Sequence, residues 1–332
     1  GRGKQREYES MMLLVEEAEG YSGLASAELE LDKMLESNRL GAGQGLLLKD
    51  RLESKRFALE DDLAGASSHP AGASESNDIG LILHTSGTTS RPKIVPLTQA
   101  NLAATARNVA TTLALEPSDR CLQVMPLFHI HGLMAGVLAP LRSGSSIFCS
   151  PGFDALRFFG WLESVKPTWY TAVPTMHQAI LARAARNQEI VSNSQLRLIR
   201  SSSSSLPPQV FEELEKTFGA PVIEAYGMTE AAHQMTCNQI PPGQRKPGTV
   251  GPAAGPEVSI MSESTSTMLA QGDTGEVVIR GENVCRGYEN NPEANAGAFE
   301  DGWFRTGDQG YMAPDGFLTI TGRLKALSNT GG

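Results

Sequence analysis

Between residues 122 and 226 the chain alternates short apolar runs with longer amphipathic stretches, and no other feature limits its fold as strongly. The apolar runs cover 122–125, 146–149, 169–173, 196–200 and 221–226. The stretches between them predict helices over 132–141, 158–165, 176–186 and 207–218, the last with a proline in its first turn. Strands separated by helices need crossover connections, so the expected fold class is α/β, with mostly parallel sheets flanked by helices. From 251 to 321 the runs are β-type and follow one another directly, at 258–261, 276–280, 309–312 and 317–321. Pro314-Asp315-Gly316 marks a hairpin between the last two, so a separate antiparallel, β-rich lobe is expected there.

The region before residue 79 is less specified. Leu, Met and Ala recur at helical spacing over 8–18 and 25–40, and residues 64–78 turn to Ala, Gly, Ser and Pro, as a linker does. The expected organisation is an N-terminal helical segment and linker over 1–78, an α/β subdomain over 79–250, the β-rich lobe over 251–321, and a short stretch over 322–332.

The densest chemistry lies in Thr85-Ser86-Gly87-Thr88-Thr89-Ser90-Arg91-Pro92-Lys93, between the apolar runs 81–84 and 94–97. Hydroxyls donate hydrogen bonds, Gly87 lets the backbone approach closely, and Lys93 adds a mobile cation. A polyphosphate suits that set. The chain lacks G-x-x-x-x-G-K-[ST], so an ordinary P-loop is disfavoured. Just beyond, Thr98 is placed to cap a helix over 99–113.

Charge narrows the partners. A net charge of -9 over 332 residues argues against nucleic acid or an anionic membrane, so any anion must be held locally. The four cysteines show no metal-binding spacing and read as reduced thiols of an intracellular protein. No run approaches the ~18 apolar residues of a membrane span, and no apolar segment follows the basic start as in a signal peptide. The chain lacks an initiating Met and stops at Thr330-Gly331-Gly332, which is expected of a fragment.

Together with Tyr226-Gly227-Met228-Thr229-Glu230, Thr306-Gly307-Asp308 and Gly322-Arg323-Leu324-Lys325, the Thr85–Lys93 loop resembles the adenylate-forming superfamily of acyl-CoA synthetases, luciferases and peptide-synthetase adenylation domains. The four motifs occur in the family's order. Segments 84–93, 126–132, 169–175 and 229–233 resemble most closely the oxalate–CoA ligase branch. The resemblance implies the large N-terminal domain of these enzymes, with a distorted-barrel lobe. It also implies an ATP-dependent, AMP-forming acid–thiol ligase with Mg²⁺, and coenzyme A as co-substrate. By the same resemblance, Thr85, Ser86, Gly87, Thr88, Thr89 and Lys93 grip the β- and γ-phosphates. Glu230 holds the metal, Thr229 touches the α-phosphate, and Tyr226 with the backbone of Glu224 and Ala225 meets adenine. Asp308 and Arg323 take the ribose, and Lys325 is the hinge to a small C-terminal domain that these residues lack.

His129, His131 and His233 are half of the six histidines. The resemblance places His129 at the acyl channel and His233 just past the metal carboxylate, whereas His131 serves structure or substrate equally well. Ser201 to Ser205, with Ser203 at the centre, lies at a strand's C-terminal end, where α/β folds bind ligands. Histidine and serine suit a short diacid such as oxalate, then another small carboxylate, whereas a fatty chain wants an apolar tunnel. Two alternatives stay open: a truncated nucleotide-binding paralogue with little or no catalysis, and a medium- or long-chain fatty acid–CoA ligase. The expected location is the cytoplasm, with the peroxisome as alternative; oligomeric state is left open. One departure from the family pattern is Ile94, where glycine usually follows the loop lysine.

Overall fold

The structure, a computed structural model, describes residues 11, 20–37, 44, 48–49, 52, 73–85 and 92–324. It divides into two compact units, residues 1–73 and 74–332. The expected helix over 8–18, apart from Met11, and the linker residues 64–72 lie outside the described residues. In the first unit the helix Gly20–Glu36 turns Ala27, Leu31 and Met34 into a small core with Met11, Leu48 and Leu52.

Among its described residues the second unit holds three sheets. β1 (Ile79–Thr85) and β2 (Lys93–Thr98) form an antiparallel hairpin with Thr85 opposite Lys93. β2 runs into the helix Gln99–Thr112, where Thr98 and Asn101 form a reciprocal capping box. The central sheet has the order β4-β3-β5-β6-β7-β8. Its members are β3 (Arg120–Gln123), β4 (Ser146–Cys149), β5 (Trp169–Ala172), β6 (Leu198–Ser201), β7 (Val222–Met228) and β8 (His233–Cys237). All neighbours are parallel except β7 and β8.

Both faces of this sheet are buried, as its apolar runs require. Leu122, Tyr170, Ile199 and Val222 pack with Phe158, Phe159, Leu214 and Phe218 on one face. Cys121, Trp169, Leu198 and Ile223 pack with Val109 and Leu113 on the other. The order reverses direction at β3, whose neighbours are β4 and β5, and the crevice beyond the strand ends at such a reversal is where these folds bind ligands.

The predicted helix over 132–141 is split into a π-helical turn, Gly132–Leu138, and an α-helical turn, Ala139–Arg142. The Gln123 side chain explains the looseness: it donates to the carbonyls of Met125 and Gly132 and lies where a Cβ at Gly136 would sit.

The β-rich part is an antiparallel, curled sheet of order β11-β12-β10-β9, with β13 also on β12. It comprises β9 (Glu257–Met261), β10 (Thr274–Arg280), β11 (Phe299–Glu300), β12 (Trp303–Met312) and β13 (Leu318–Arg323). Burial alternates along β12, so Phe304, Thr306 and Asp308 share its inward face. Among the described residues no helix is long and apolar enough to cross a membrane.

Candidate active site

The site is organised by the tight turn between β7 and β8. Thr229–Ala231 is one turn of 3-10 helix, and Ala232 and His233 follow at φ +48° and +110°. Non-glycine residues rarely occupy that region, and such strain gathers where function needs it. Gly227 makes the turn feasible, because a Cβ there would lie 1.7 Å from the His233 carbonyl oxygen. The result is that Glu230 and His233, three residues apart, are both buried.

Glu230 accepts a hydrogen bond from the Tyr288 hydroxyl at 2.8 Å, and its own carbonyl accepts from Cys285 N at 2.7 Å. The Lys93 ammonium lies 4.3 Å from the centre of the Tyr288 ring. Burial, reinforced by the Glu230 charge, raises the Tyr288 pKa and keeps its hydroxyl a donor. Ile94 pairs with His84 across the hairpin, and its carbonyl accepts from Glu289 N at 2.9 Å. The unusual residue therefore sits in a regular strand. Among the described residues no cluster of three or more His, Cys, Asp and Glu could cage a metal. Mg²⁺ on a nucleotide needs only one or two carboxylates beside the phosphates, and Glu230 fits that need.

A second group surrounds Asp308. Its Oδ2 accepts from the Tyr226 hydroxyl at 2.5 Å and its Oδ1 meets Arg323 Nε at 2.6 Å. Register places Asp308 directly opposite Arg323 on β12 and β13. Gly307, at φ +73°, donates its N–H to Glu276 Oε1, and the Asp308 N–H donates to Thr306 Oγ1. Burial raises the Asp308 pKa, opposed by the hydrogen bond from Tyr226 and the charge of Arg323.

A third group lies at the C-terminal ends of β5 and β6. His131 is fully buried, with Nδ1 3.0 Å from Ser203 Oγ and Nε2 2.6 Å from Thr171 Oγ1. The His233 ring stacks on it, centroids 5.0 Å apart, and among the described residues His233 Nε2 has no partner. Burial first, then Arg200, holds both pKa values well below the ordinary histidine value, so both rings are neutral. Ser203 is exposed at φ +74°.

The structure thus joins Lys93 to Glu230 through Tyr288, Tyr226 to Asp308 and Arg323, and Ser203 to His233 through His131. Thr85 ends β1 opposite Lys93, and Thr229 is half-buried in the turn. The Glu224 carbonyl already accepts from Asn238 N at 2.8 Å and the Ala225 carbonyl from Ser202 Oγ at 2.9 Å. His129 stands apart: it is exposed, and its Nδ1 accepts from the His131 N–H at 3.3 Å. Ser86, Gly87, Thr88, Thr89 and Lys325 lie outside the described residues. Sequence reasoning missed Tyr288, Thr171, Arg200 and Gln234. A separate open cavity of about 530 Å³, lined among others by Thr112, Cys237, Gln239 and Pro252, carries no charged residue and suits no polyphosphate.

A family model described as AMP-binding enzyme matches residues 8–289. The chain belongs to the AMP-binding enzyme family. Its relatives include an oxalate–CoA ligase of Arabidopsis thaliana, 43% identical over 325 residues, covering 97% of this chain and 61% of that protein. An oxalate–CoA ligase of Saccharomyces cerevisiae is 48% identical over 263 residues, covering 79% of this chain and 48% of that one. The chain therefore spans about half to three fifths of the length of these relatives. The crystal structure of ATP-bound MatB from Rhodopseudomonas palustris superposes with a TM-score of 0.72 at 32% identity, over 80% of this chain and 52% of that one. The fold of this AMP-binding family member is accordingly that of the adenylate-forming enzymes, parallel sheet and curled antiparallel sheet alike.

Proposed function

We propose that this chain is the nucleotide- and acid-binding part of an ATP-dependent, AMP-forming acid–CoA ligase whose acid is oxalate or another short carboxylate. The observation that carries the proposal is the 229–233 turn, which holds Glu230 and His233 three residues apart and buried. Adenylation needs the metal-bound α-phosphate and the acid's carboxylate side by side, and this turn offers one anchor to each. The identity to oxalate–CoA ligases supports the acid.

In the proposed reaction a carboxylate oxygen of the acid attacks the α-phosphorus of ATP, the bond to the bridging oxygen breaks, and pyrophosphate leaves. CoA thiolate then attacks the acyl carbon and AMP departs with its phosphate oxygen. The first step needs alignment and charge neutralisation more than covalent help. The loop residues Thr85, Ser86, Gly87, Thr88, Thr89 and Lys93 take the β- and γ-phosphates, and Thr229 the α-phosphate. Mg²⁺ held at Glu230 supplies neutralisation of the phosphate oxygens. Tyr226, Glu224 and Ala225 line the adenine, while Asp308 has lone pairs left for ribose hydroxyls beside Arg323. Ser203 and His233 receive the acid, with His129 at its entrance, and Lys325 serves as hinge to the remainder of the enzyme. Residues 79–250 and 251–321 act as its two subdomains, in the cytoplasm or the peroxisome.

A lining of serine and histidine disfavours a fatty chain, because polar groups left unpaired against methylenes cost more than the methylenes gain. The test is CoA-thioester formation across a panel of acids, using protein extended to the length of its relatives. Oxalate or another short acid is expected to lead. Thioester formation with fatty acids alone would overturn the substrate assignment.

A further inference from the structure

Arg200 carries a full positive charge into the interior. It is 0% exposed on β6, and among the described residues no carboxylate pairs with it. Its partners are all neutral. Nη1 faces His131 Nε2 at 3.4 Å and Thr171 Oγ1 at 3.5 Å, and Nη2 donates to Gln234 Oε1 at 3.2 Å. Among the described residues its Nε has no partner. A guanidinium stays protonated in proteins, and a buried charge without a counter-charge is destabilising unless something completes the site.

The bonds have a direction. Arg200 can only donate, so Thr171 Oγ1 accepts from it and passes its own hydrogen to His131 Nε2 at 2.6 Å. Nε2 is then the acceptor nitrogen, and the imidazole hydrogen resides on Nδ1, which donates to Ser203 Oγ at 3.0 Å. With its oxygen already accepting, the Ser203 hydroxyl is left to donate outward from its exposed position. A chain polarised by a cation at one end strengthens along its length. Beside it, the unpartnered His233 Nε2 lies on the ring stacked against His131.

We propose that Arg200 is a specificity-determining positioning residue. Through Thr171 and His131 it makes Ser203 a hydrogen-bond donor to the acid, and its charge favours an acid with a second carboxylate over a neutral isostere. The inference rests on the short-acid reading above. A merely structural Arg200 would affect all ligands alike, whereas this role separates ligands by charge.

The test is calorimetric titration of this chain, saturated with Mg²⁺ and the non-hydrolysable α,β-methylene-ATP, with oxalate and with oxamate, in which an amide replaces one carboxylate. Wild type is expected to bind oxalate about tenfold tighter or more, and Arg200→Met to bring the two within about threefold, with nucleotide affinity unchanged. Arg200→Lys, which keeps the charge, is expected to retain the preference, and it carries the test alone should Arg200→Met not fold. If wild type discriminates and Arg200→Met discriminates equally, or if Arg200→Lys loses the preference, the role of Arg200 is overturned while the short-acid reading stands. If wild type binds neither acid but does bind a fatty acid, the substrate reading itself fails.

Discussion

Tyr288 donates its phenolic hydrogen to Glu230 at 2.8 Å, from a ring that also carries the Lys93 ammonium on its face. One side chain thus positions both groups assigned to the metal-bound phosphates. Tyr288→Phe keeps the ring under Lys93 and removes only the donor. Hydrogen bonds to charged groups are worth roughly 1.5–3 kcal/mol, so Mg²⁺–ATP binding is expected to weaken about tenfold while AMP stays within about threefold. Calorimetry with both nucleotides checks this; equal losses would mean that the hydroxyl supports only the fold.

Asp308 joins Tyr226 to Arg323. The Arg323 side chain is 64% exposed, so that ion pair adds little by itself. The greater cost of Asp308→Ala comes from the stranded Tyr226 hydroxyl, about 1–2 kcal/mol of stability by denaturant unfolding. Nucleotide affinity is expected to fall at least tenfold, while Arg323→Ala costs less than about 1 kcal/mol of stability. A nucleotide affinity unchanged in Asp308→Ala would remove Asp308 from the ribose site.

Glu224 supplies a pH signature. One oxygen accepts from Leu206 N at 3.0 Å, the other has no partner among the described residues, and burial raises its pKa from 4.5 to about 7. A raised carboxyl pKa means that the folded state holds the proton more tightly. Its contribution is therefore fully present below pH 4.5 and is lost as pH rises to about 7, a swing on the order of 3 kcal/mol. Glu224→Gln is expected to flatten the stability profile across that window, measured by urea unfolding at successive pH values. An unchanged slope would exclude Glu224 as its source.

Two glycines separate backbone need from chance. Gly227→Ala drives a Cβ into the His233 carbonyl and is expected to cost about 3 kcal/mol or more, with a lowered unfolding temperature and lost ligand binding. Gly160, in the helix Phe158–Val165, has, among the described residues and apart from its chain neighbours and the helix's own backbone, no atom within 4 Å of the place an alanine methyl would take, so Gly160→Ala is expected to stabilise by about 0.4–1 kcal/mol. Thermal unfolding of the pair reads both signs.

The periodicity of the sequence reached the parallel sheet, the Thr98 cap and the hairpin at 314–316, because each is a local signal. The family resemblance, carried by short motifs and not by periodicity, is what singled out Glu230 and Asp308, and the structure shows both buried. Periodicity missed Arg200, since an arginine at the end of an apolar run looks like an exposed edge charge until Gln234, 34 residues on, and His131, 69 residues back, close over it. Tyr288 reaches Glu230 across 58 residues, a contact made by the β7–β8 turn and not by spacing. β8 escaped notice because its start at His233 lies inside a motif, and the π-helical turn because it depends on the Gln123 side chain.

Oxalate-dependent exchange of labelled pyrophosphate into ATP, by protein extended to the length of its relatives, tests the assignment of Glu230 and of the acid together. Exchange is expected to require Mg²⁺ and a short acid, and Glu230→Gln to lower it at least a hundredfold, about 2.7 kcal/mol. Exchange supported by fatty acids but by no short acid, or exchange indifferent to Glu230→Gln, would contradict both the site and the reaction proposed for it.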